Sequence, residues 1–507
     1  MNFYTSVKVV RGKIGFRGIE NGKRVTKLIG YSPSLFVPNN NPDIEVSYSS
    51  IHDRPLEKIK FSKIAEAKEY IKTYKDVENY EIYGTNKFEY AFIAEKFGDR
   101  IIEWDMSLLR ILNIDIEVDP TDGMPNIAQA NRAVTAITCE VDGFYTVFGY
   151  KDGFDKFAMQ KINIDPENID FILCQNESDL LMKFLEFWSS DFPDIITGYN
   201  INFFDIPYLV HRITRLFSEE VALRLSPWKV ITSRQITMQG KMQTQYELWG
   251  INSLDWIDLF KKFAVDSSQE SYRLDYIADY VLGIGKLDYG EYKNLQTLYI
   301  KNYQLFIEYN IRDVELVRKL ENKRKLMELA LNLAYDTKCN PQDVMSQVRM
   351  WTQIIYNFLY QENRATLLPI YDSEEEVEGY EGAFVQEPQK GMFKWVVSFD
   401  LTSLYPMIVM QWNVSPDTII DQEAVPVTVD GLLDRKYDLD FLKEQEMAMT
   451  ANGHKFDISK KGFLPKILDR MFQDRNYYKN LMIENEKKLV EIEEEMKKRG
   501  LEVKKLD

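Results

Sequence analysis

The chain has 507 residues, carries 63 Lys and Arg against 79 Asp and Glu for a formal net charge of −16, and is 45% apolar and 28% charged. That length exceeds what one hydrophobic core supports, so several domains are expected, and the composition is that of a folded protein rather than a disordered or fibrous one. The acidic balance argues against a broad phosphate-binding surface, yet it leaves room for a local basic channel and for carboxylates gathered around metal. Cys139, Cys174 and Cys339 are scattered without a pairing or zinc-ligand pattern, which fits a reducing, cytoplasmic setting. No apolar stretch approaches the roughly 18 residues a membrane span needs, and MNFYTSVKVVRGK lacks the apolar core of a signal peptide. The 30 Tyr and 29 Phe suit plain cores and, equally, platforms for stacking bases.

Taken in chain order, residues 1–107 form an N-terminal domain of short β-rich segments, NFYTSVKVV and KLIGYSPSLFVP, followed by a helix near KIAEAKEYIKTY. Residues 108–329 alternate strands with amphipathic helices, the pattern of an α/β domain around a central sheet. Residues 330–368 read as a helical return to the N-terminal domain, and the acidic stretch DSEEEVEGYEG, 372–382, as a boundary. In 369–460, FKWVVSFD reads as a buried strand that opens a new sheet and ends on Asp400. In 461–507 a helix with dense charge is expected from Pro465 to Lys498; such a helix is marginal without packing, so this arm calls for a partner.

Three segments of the second domain carry candidate chemistry. In ILNIDIEVD, 111–119, Asp115 and Glu117 are alternate residues of a strand and project from one side. Two anions side by side repel unless a cation lies between them, although a lone D-x-E also fits an ordinary surface strand. ITGYNINFFDIPYL, 196–209, adds Asp205 with Asn200 five positions earlier, and EYNIRDVELV, 308–317, puts Tyr309 and Asp313 on one helix face. Four carboxylates on separated segments of one domain could hold two divalent cations about 4 Å apart, which suits phosphodiester hydrolysis. Oxygen ligands of this kind favour Mg²⁺ or Mn²⁺. Tyr309 could orient the attacking water or the scissile phosphate. RQITMQGKMQTQYELWG, 234–250, reads as a β-hairpin turning near Gln239-Gly240, and Asp255 and Asp258 as a helix face rather than ligands.

The order D-x-E, N-x3-F-D, Y-x3-D resembles the three motifs of the proofreading 3′→5′ exonucleases, the branch with Tyr in its third motif. FDLTSLYP, 399–406, resembles the first polymerase motif of family B DNA polymerases, and NVSPDT, 413–418, fits the same family, with Met407 a departure from its usual small residue. The resemblance covers essentially the whole chain and is strongest to the replicative enzymes of T-even-like bacteriophages. It implies an α/β and α+β multidomain fold: a β-rich N-terminal domain, a ribonuclease H-like exonuclease domain, a partial palm and the start of helical fingers. It makes Asp115, Glu117, Asp205 and Asp313 metal ligands of the exonuclease, with Tyr309 catalytic and Asn200 touching DNA. Asp400 becomes a polymerase metal ligand and the Leu401 carbonyl a second. The Ser403 and Leu404 backbone would receive the triphosphate, Tyr405 would lie under the sugar, and Arg475 and Lys479 of FQDRNYYK would grip the nucleotide. Tyr380, Gly382 and Ala383 of YEGAFV would contact template, and the hairpin would help part primer from template.

The same resemblance requires a D-T-D-S segment and a K-x3-N-S-x-Y-G helix, and neither occurs in the sequence; AYDTKC and AVDSSQ do not qualify. The expectation is therefore a complete exonuclease and half of a polymerase centre, either a naturally split subunit or a piece of a longer enzyme. Its partners would be primer-template and single-stranded DNA, deoxynucleoside triphosphates, a complementing C-terminal chain, and a sliding clamp reached through that chain, all in host cytoplasm. The alternatives are a stand-alone exonuclease and a non-catalytic nucleic-acid-binding regulatory module.

Overall fold

The computed structural model describes residues 1–41, 46–119, 121, 125–238, 241–368, 385–420 and 424–500. The chain divides into two compact units, one of Met1–Ser34, Lys60–Tyr70 and Thr85–Asn357, the other of Leu35–Ile59, Ile71–Gly84 and Phe358–Asp507.

The first unit opens with a three-stranded antiparallel sheet, Phe3–Val10, Lys13–Glu20 and Lys23–Ile29. Its two turns are two residues each, Arg11-Gly12 and Asn21-Gly22, with positive φ at all four positions. That is the backbone a tight hairpin needs to match strand twist, and Asn-Gly is its strongest sequence signal. Buried Arg17 ties this sheet to the rest of the unit by donating to the carbonyls of Pro193 (2.6 Å), Gly250 (2.7 Å) and Phe192 (2.8 Å).

A six-stranded sheet follows, in the order Ile169–Leu173, Phe144–Gly149, Val134–Val141, Ile111–Val118, Ile195–Thr197, Asn252–Ser253. The Ile111–Val118 strand lies inside this sheet, antiparallel to Val134–Val141 and parallel to Ile195–Thr197. Its even-numbered residues Leu112, Ile114, Ile116 and Val118 pack in one core with the helices Glu177–Ser190 and Asp205–Leu216. Its odd-numbered residues turn to the opposite face, where the Tyr303–Arg324 helix covers the sheet with Phe306, Ile307, Ile311 and Val314. Asn113 donates there to the Val314 carbonyl (2.8 Å). The strand's period of two is what sends Asp115 and Glu117 toward that helix.

The strands Ile231–Met238 and Lys241–Leu248 form the expected hairpin, paired from Ile231↔Leu248 to Met238↔Lys241; Gln239 and Gly240 lie outside the described residues. Its base is anchored by His211, whose Nε2 meets the Tyr246 hydroxyl (2.6 Å) while Nδ1 meets the Ile127 carbonyl (2.7 Å). Because a carbonyl can only accept, Nδ1 carries the proton and Nε2 accepts from Tyr246 in the neutral ring.

In the second unit a small core of Phe36, Leu56, Tyr83 and Ala365 is joined by the short hairpin Met447–Met449/Lys455–Asp457, the helix Leu404–Gln411 and the 36-residue helix Phe463–Lys498. The strand expected in FKWVVSFD does not form: residues 393–400 pair with no strand among the described residues, and Trp395 and Phe399 are 96% and 92% exposed. A central strand needs neighbours on both edges for its N–H and C=O groups and cover on both faces. Among the described residues of this unit no strand supplies them. As a whole the chain is a mixed α/β multidomain protein with a β-rich beginning.

Candidate active site

Asp115, Glu117 and Asp313 each offer a carboxylate oxygen within 4.8 Å of the others. The first two are alternate residues of one strand and the third comes from the helix that covers it. Asp313 is 4% exposed, its Oδ2 accepts from Lys286 Nζ at 2.5 Å, and its buried Oδ1 has no hydrogen-bond partner among the described residues. Asn310, one helical turn before Asp313 and fully buried, donates to Asp115 Oδ2 (2.6 Å), and its own oxygen accepts from Thr138. Tyr309, on the same turn, accepts from Lys286 Nζ (3.0 Å) and meets the edge of Tyr289.

Asp205 stands beside this trio rather than in it. It is the first residue of the Asp205–Leu216 helix, is 2% exposed, and its Oδ1 accepts from the Ile116 amide (2.9 Å), so it is fixed to the carboxylate strand itself. The approach of the segment before it depends on Gly198: a Cβ there would lie 2.5 Å from the Ile114 carbonyl oxygen. Asn200 is exposed and left-handed (φ 67°).

Packing four carboxylates into a buried space costs charge energy. Burial pushes Glu117 up to about 8 and Asp205 up to about 7. It also raises Asp115 and Asp313, Asp115 further through the charges of Asp205, Asp313 and Glu117. Lys286 pulls the other way on Asp313. The ammonium itself, which burial would lower, is carried above its ordinary value by Asp313 and Tyr309. The donor set is all hard oxygen with one buried oxygen unsatisfied, which suits Mg²⁺ or Mn²⁺ and does not suit a soft, thiolate-seeking metal.

Asp255 and Asp258 do lie on the Trp256–Phe263 helix and its cap, but Asp255 does more than cap it. Only 2% exposed, it accepts from the amides of Asn200 (2.9 Å) and Asn202 (3.0 Å), and Asp258 accepts from the Asn202 side chain (3.1 Å). It therefore clips the bend that leads into Asp205.

The polymerase-like residues are placed differently. Asp400, Leu401, Leu404 and Tyr405 are exposed, Ser403 is half-buried and left-handed (φ 51°) before the Leu404–Gln411 helix, and no described carboxylate clusters with Asp400. Arg475 and Lys479 are exposed, one turn apart on the Phe463–Lys498 helix. Tyr380, Gly382 and Ala383 lie outside the described residues.

The family model "DNA polymerase family B, exonuclease domain" matches residues 56–277, and "DNA polymerase family B" matches residues 343–499. The DNA-directed DNA polymerase of Escherichia phage RB69 is 33% identical over 505 residues, covering 95% of this chain and 54% of that protein. That of Enterobacteria phage T4 is 31% identical over 507 residues, covering 96% and 54%. DNA polymerase 1 of Sulfolobus acidocaldarius is 28% identical over 362 residues, covering 65% and 37%. The chain belongs to DNA polymerase family B. It spans about half the length of the two phage relatives.

Within this family B chain, sequence reasoning passed over Lys286 and Asn310 and read Asp255 only as part of a helix face. Asn310 sits inside the quoted EYNIRD and could have been flagged by its place beside Tyr309. Lys286 is flagged only by its setting in GIGKLDYG, a glycine-bracketed loop, and nothing local marks Asp255 as the anchor of a segment 55 positions earlier.

Proposed function

We propose that this chain carries a complete metal-dependent 3′→5′ exonuclease centre and one part of a polymerase centre, which the remaining portion of such an enzyme, as a continuation of this sequence or as a complementing C-terminal chain, would complete. The observation that carries the first half is the convergence of Asp115, Glu117 and Asp313, with Asp205 adjoining, around a buried carboxylate oxygen left unsatisfied. Those residues would hold the divalent cations, which when bound would supply an activated water and stabilisation of the leaving oxygen. Asn310 orients Asp115, and the Ile116 amide orients Asp205. Lys286 places a positive charge between Tyr309 and Asp313, where a scissile phosphate would otherwise meet only anions. Asn200, at the exposed end of the clipped bend, is positioned to touch the strand being trimmed.

The second half is supported by the resemblance of FDLTSLYP to the first polymerase motif, by the exposed apolar run from Met392 to Leu401, and by Asp400 belonging to no carboxylate cluster among the described residues. Strands from that remaining portion would cover the run and bring the second aspartate, after which Ser403, Leu404, Tyr405, Arg475 and Lys479 would address the incoming deoxynucleotide. Tyr380, Gly382 and Ala383 are assigned to template, and domains are assigned as 1–107, 108–329, 330–368, 369–460 and 461–507.

The test uses the purified chain with 3′-labelled single-stranded DNA and Mg²⁺ or Mn²⁺, and, separately, a primed template with all four dNTPs. Expected are trimming from the 3′ end, its loss by at least about a thousandfold in the Asp115→Ala, Glu117→Ala double variant, and no primer extension. Equal trimming by the variant rejects the exonuclease assignment; extension by the chain alone rejects the shared polymerase centre.

A further inference from the structure

NVSPDT, residues 413–418, has no part in either centre described above, yet Asn413, Ser415, Asp417 and Thr418 are all buried, none more than 8% exposed. The segment directly follows the Leu404–Gln411 helix. The long Phe463–Lys498 helix begins after Gly462, which has no side chain with which to cap it. Its first amides are taken up from elsewhere in the chain. Gly462 N donates to Asn413 Oδ1 (2.9 Å), Phe463 N to Asp417 Oδ1 (3.3 Å) and Leu464 N to Ser415 Oγ (3.3 Å).

These three acceptors are themselves fixed. Asn413 Nδ2 donates to the carbonyls of Asp457 (2.6 Å) and Lys460 (2.8 Å), which settles which end of the amide faces Gly462. Ser415 donates to Asp417, Arg364 Nη1 donates to the other Asp417 oxygen (3.2 Å), and Thr418 Oγ1 donates back to the Asn413 carbonyl (2.6 Å). Gly462 is required by the closeness of the fit, since a Cβ there would lie 2.6 Å from the Ser415 Cβ.

We propose that Asn413, Ser415 and Asp417 are positioning residues: a socket that sets the direction of the Phe463–Lys498 arm and couples it to the Leu404–Gln411 helix. An ordinary cap belongs to the helix it ends and tilts with it. This one is borrowed from a segment nearly fifty residues away, so the arm cannot tilt without dragging 413–418 and the helix just before it. The lever is long. Arg475 lies about 18 Å along the helix from Phe463, and a tilt of about 10° at the socket moves it by about 3 Å, the length of a hydrogen bond. That Arg475 and Lys479 grip a triphosphate rests on the reading in the preceding section; the socket does not.

The test is amide hydrogen exchange of the full chain, read by mass spectrometry, in wild type, Asn413→Ala, Asp417→Ala and Asp417→Asn. Loss of an acceptor should speed exchange about five- to tenfold at 462–466 and also at 404–411. Asp417→Asn keeps the Oδ1 acceptor and should stay within about twofold of wild type at 462–466. Residues 55–59, in a strand whose Leu56 lies in the core of the same unit, should be unaltered in every variant, which certifies that this unit is folded. Spin labels at Met407→Cys and Leu489→Cys, both exposed while the three native cysteines are buried, should give a broader distance distribution in the two Ala variants. Unchanged exchange at 462–466 overturns the socket. Faster exchange there with 404–411 and the distances unchanged overturns the coupling. Neither result depends on whether the chain takes part in DNA synthesis.

Discussion

At the scale of single residues, Lys286 decides how the carboxylate cluster proposed as the exonuclease centre behaves without metal. Its ammonium bonds both Tyr309 and Asp313 and lowers a carboxylate that burial otherwise raises. In Lys286→Met the Asp313 carboxylate loses that support, so a higher pH is needed to ionise it. Exonuclease rate should fall by about ten- to a hundredfold, the worth of a charge-assisted hydrogen bond of about 1.5–3 kcal/mol, and the acid limb of the pH–rate profile should move upward. A variant with an unshifted acid limb would remove Lys286 from the electrostatics of the site. The spacing rules put Asp115 with Glu117 and Tyr309 with Asp313 directly from sequence, because i, i+2 on a strand and i, i+4 on a helix are local geometry. Lys286 was not legible in this way, because its partner lies 27 residues on and is reached only when a loop folds back.

At the scale of elements, the bend from Gly198 to Asp205 is built from outside itself. The Asp255 carboxylate satisfies the Asn200 and Asn202 amides, and Gly198 permits the close pass over Ile114. Asp255→Ala leaves two inward amides without an acceptor, each costing about 1–3 kcal/mol, so a lower melting temperature and weaker trimming are expected together. Asp255→Asn keeps one acceptor oxygen and should recover part of both. If Asp255→Ala trims DNA like wild type, the clip is not what positions Asp205. The Ile64–Tyr74 and Phe463–Lys498 helices were readable from periodicity, and the hairpin from its turn signal near Gln239-Gly240. FKWVVSFD was not, since being a strand is a property of its neighbours as much as of its residues.

At the scale of the whole molecule, the buried carboxylates have a pH consequence. In the folded state Glu117 is raised to about 8, Asp205 to about 7 and Asp255 to about 8, each above its ordinary value near 4. The folded chain therefore binds more protons than the unfolded one across that window. The stabilising contribution is complete below the ordinary carboxylate range and is lost as pH rises through about 7 to 8. Lys286, raised as a cation, loses its contribution only far above this range and does not offset the trend. Calorimetry of the metal-free protein should give a lower melting temperature at pH 8.5 than at pH 5.5, and Mn²⁺ should stabilise more at the higher pH, where the ligands are ionised. A melting temperature that rises with pH without metal would contradict the charge arrangement described.

Sequence by itself determined the family, the order of the carboxylate motifs and which side chains share a face, because hydrophobic period and residue spacing are local and survive without knowledge of the rest of the chain. Tertiary structure alone decided which distant groups serve those motifs: Lys286 on Asp313, Asn310 on Asp115, Asp255 under Asn200, and Asn413, Ser415 and Asp417 under the arm helix. It also left Asp400 at the end of an uncovered apolar run. Hydrogen-bond partners and sheet neighbours are chosen by how segments far apart in sequence are brought together, and no local pattern carries that information.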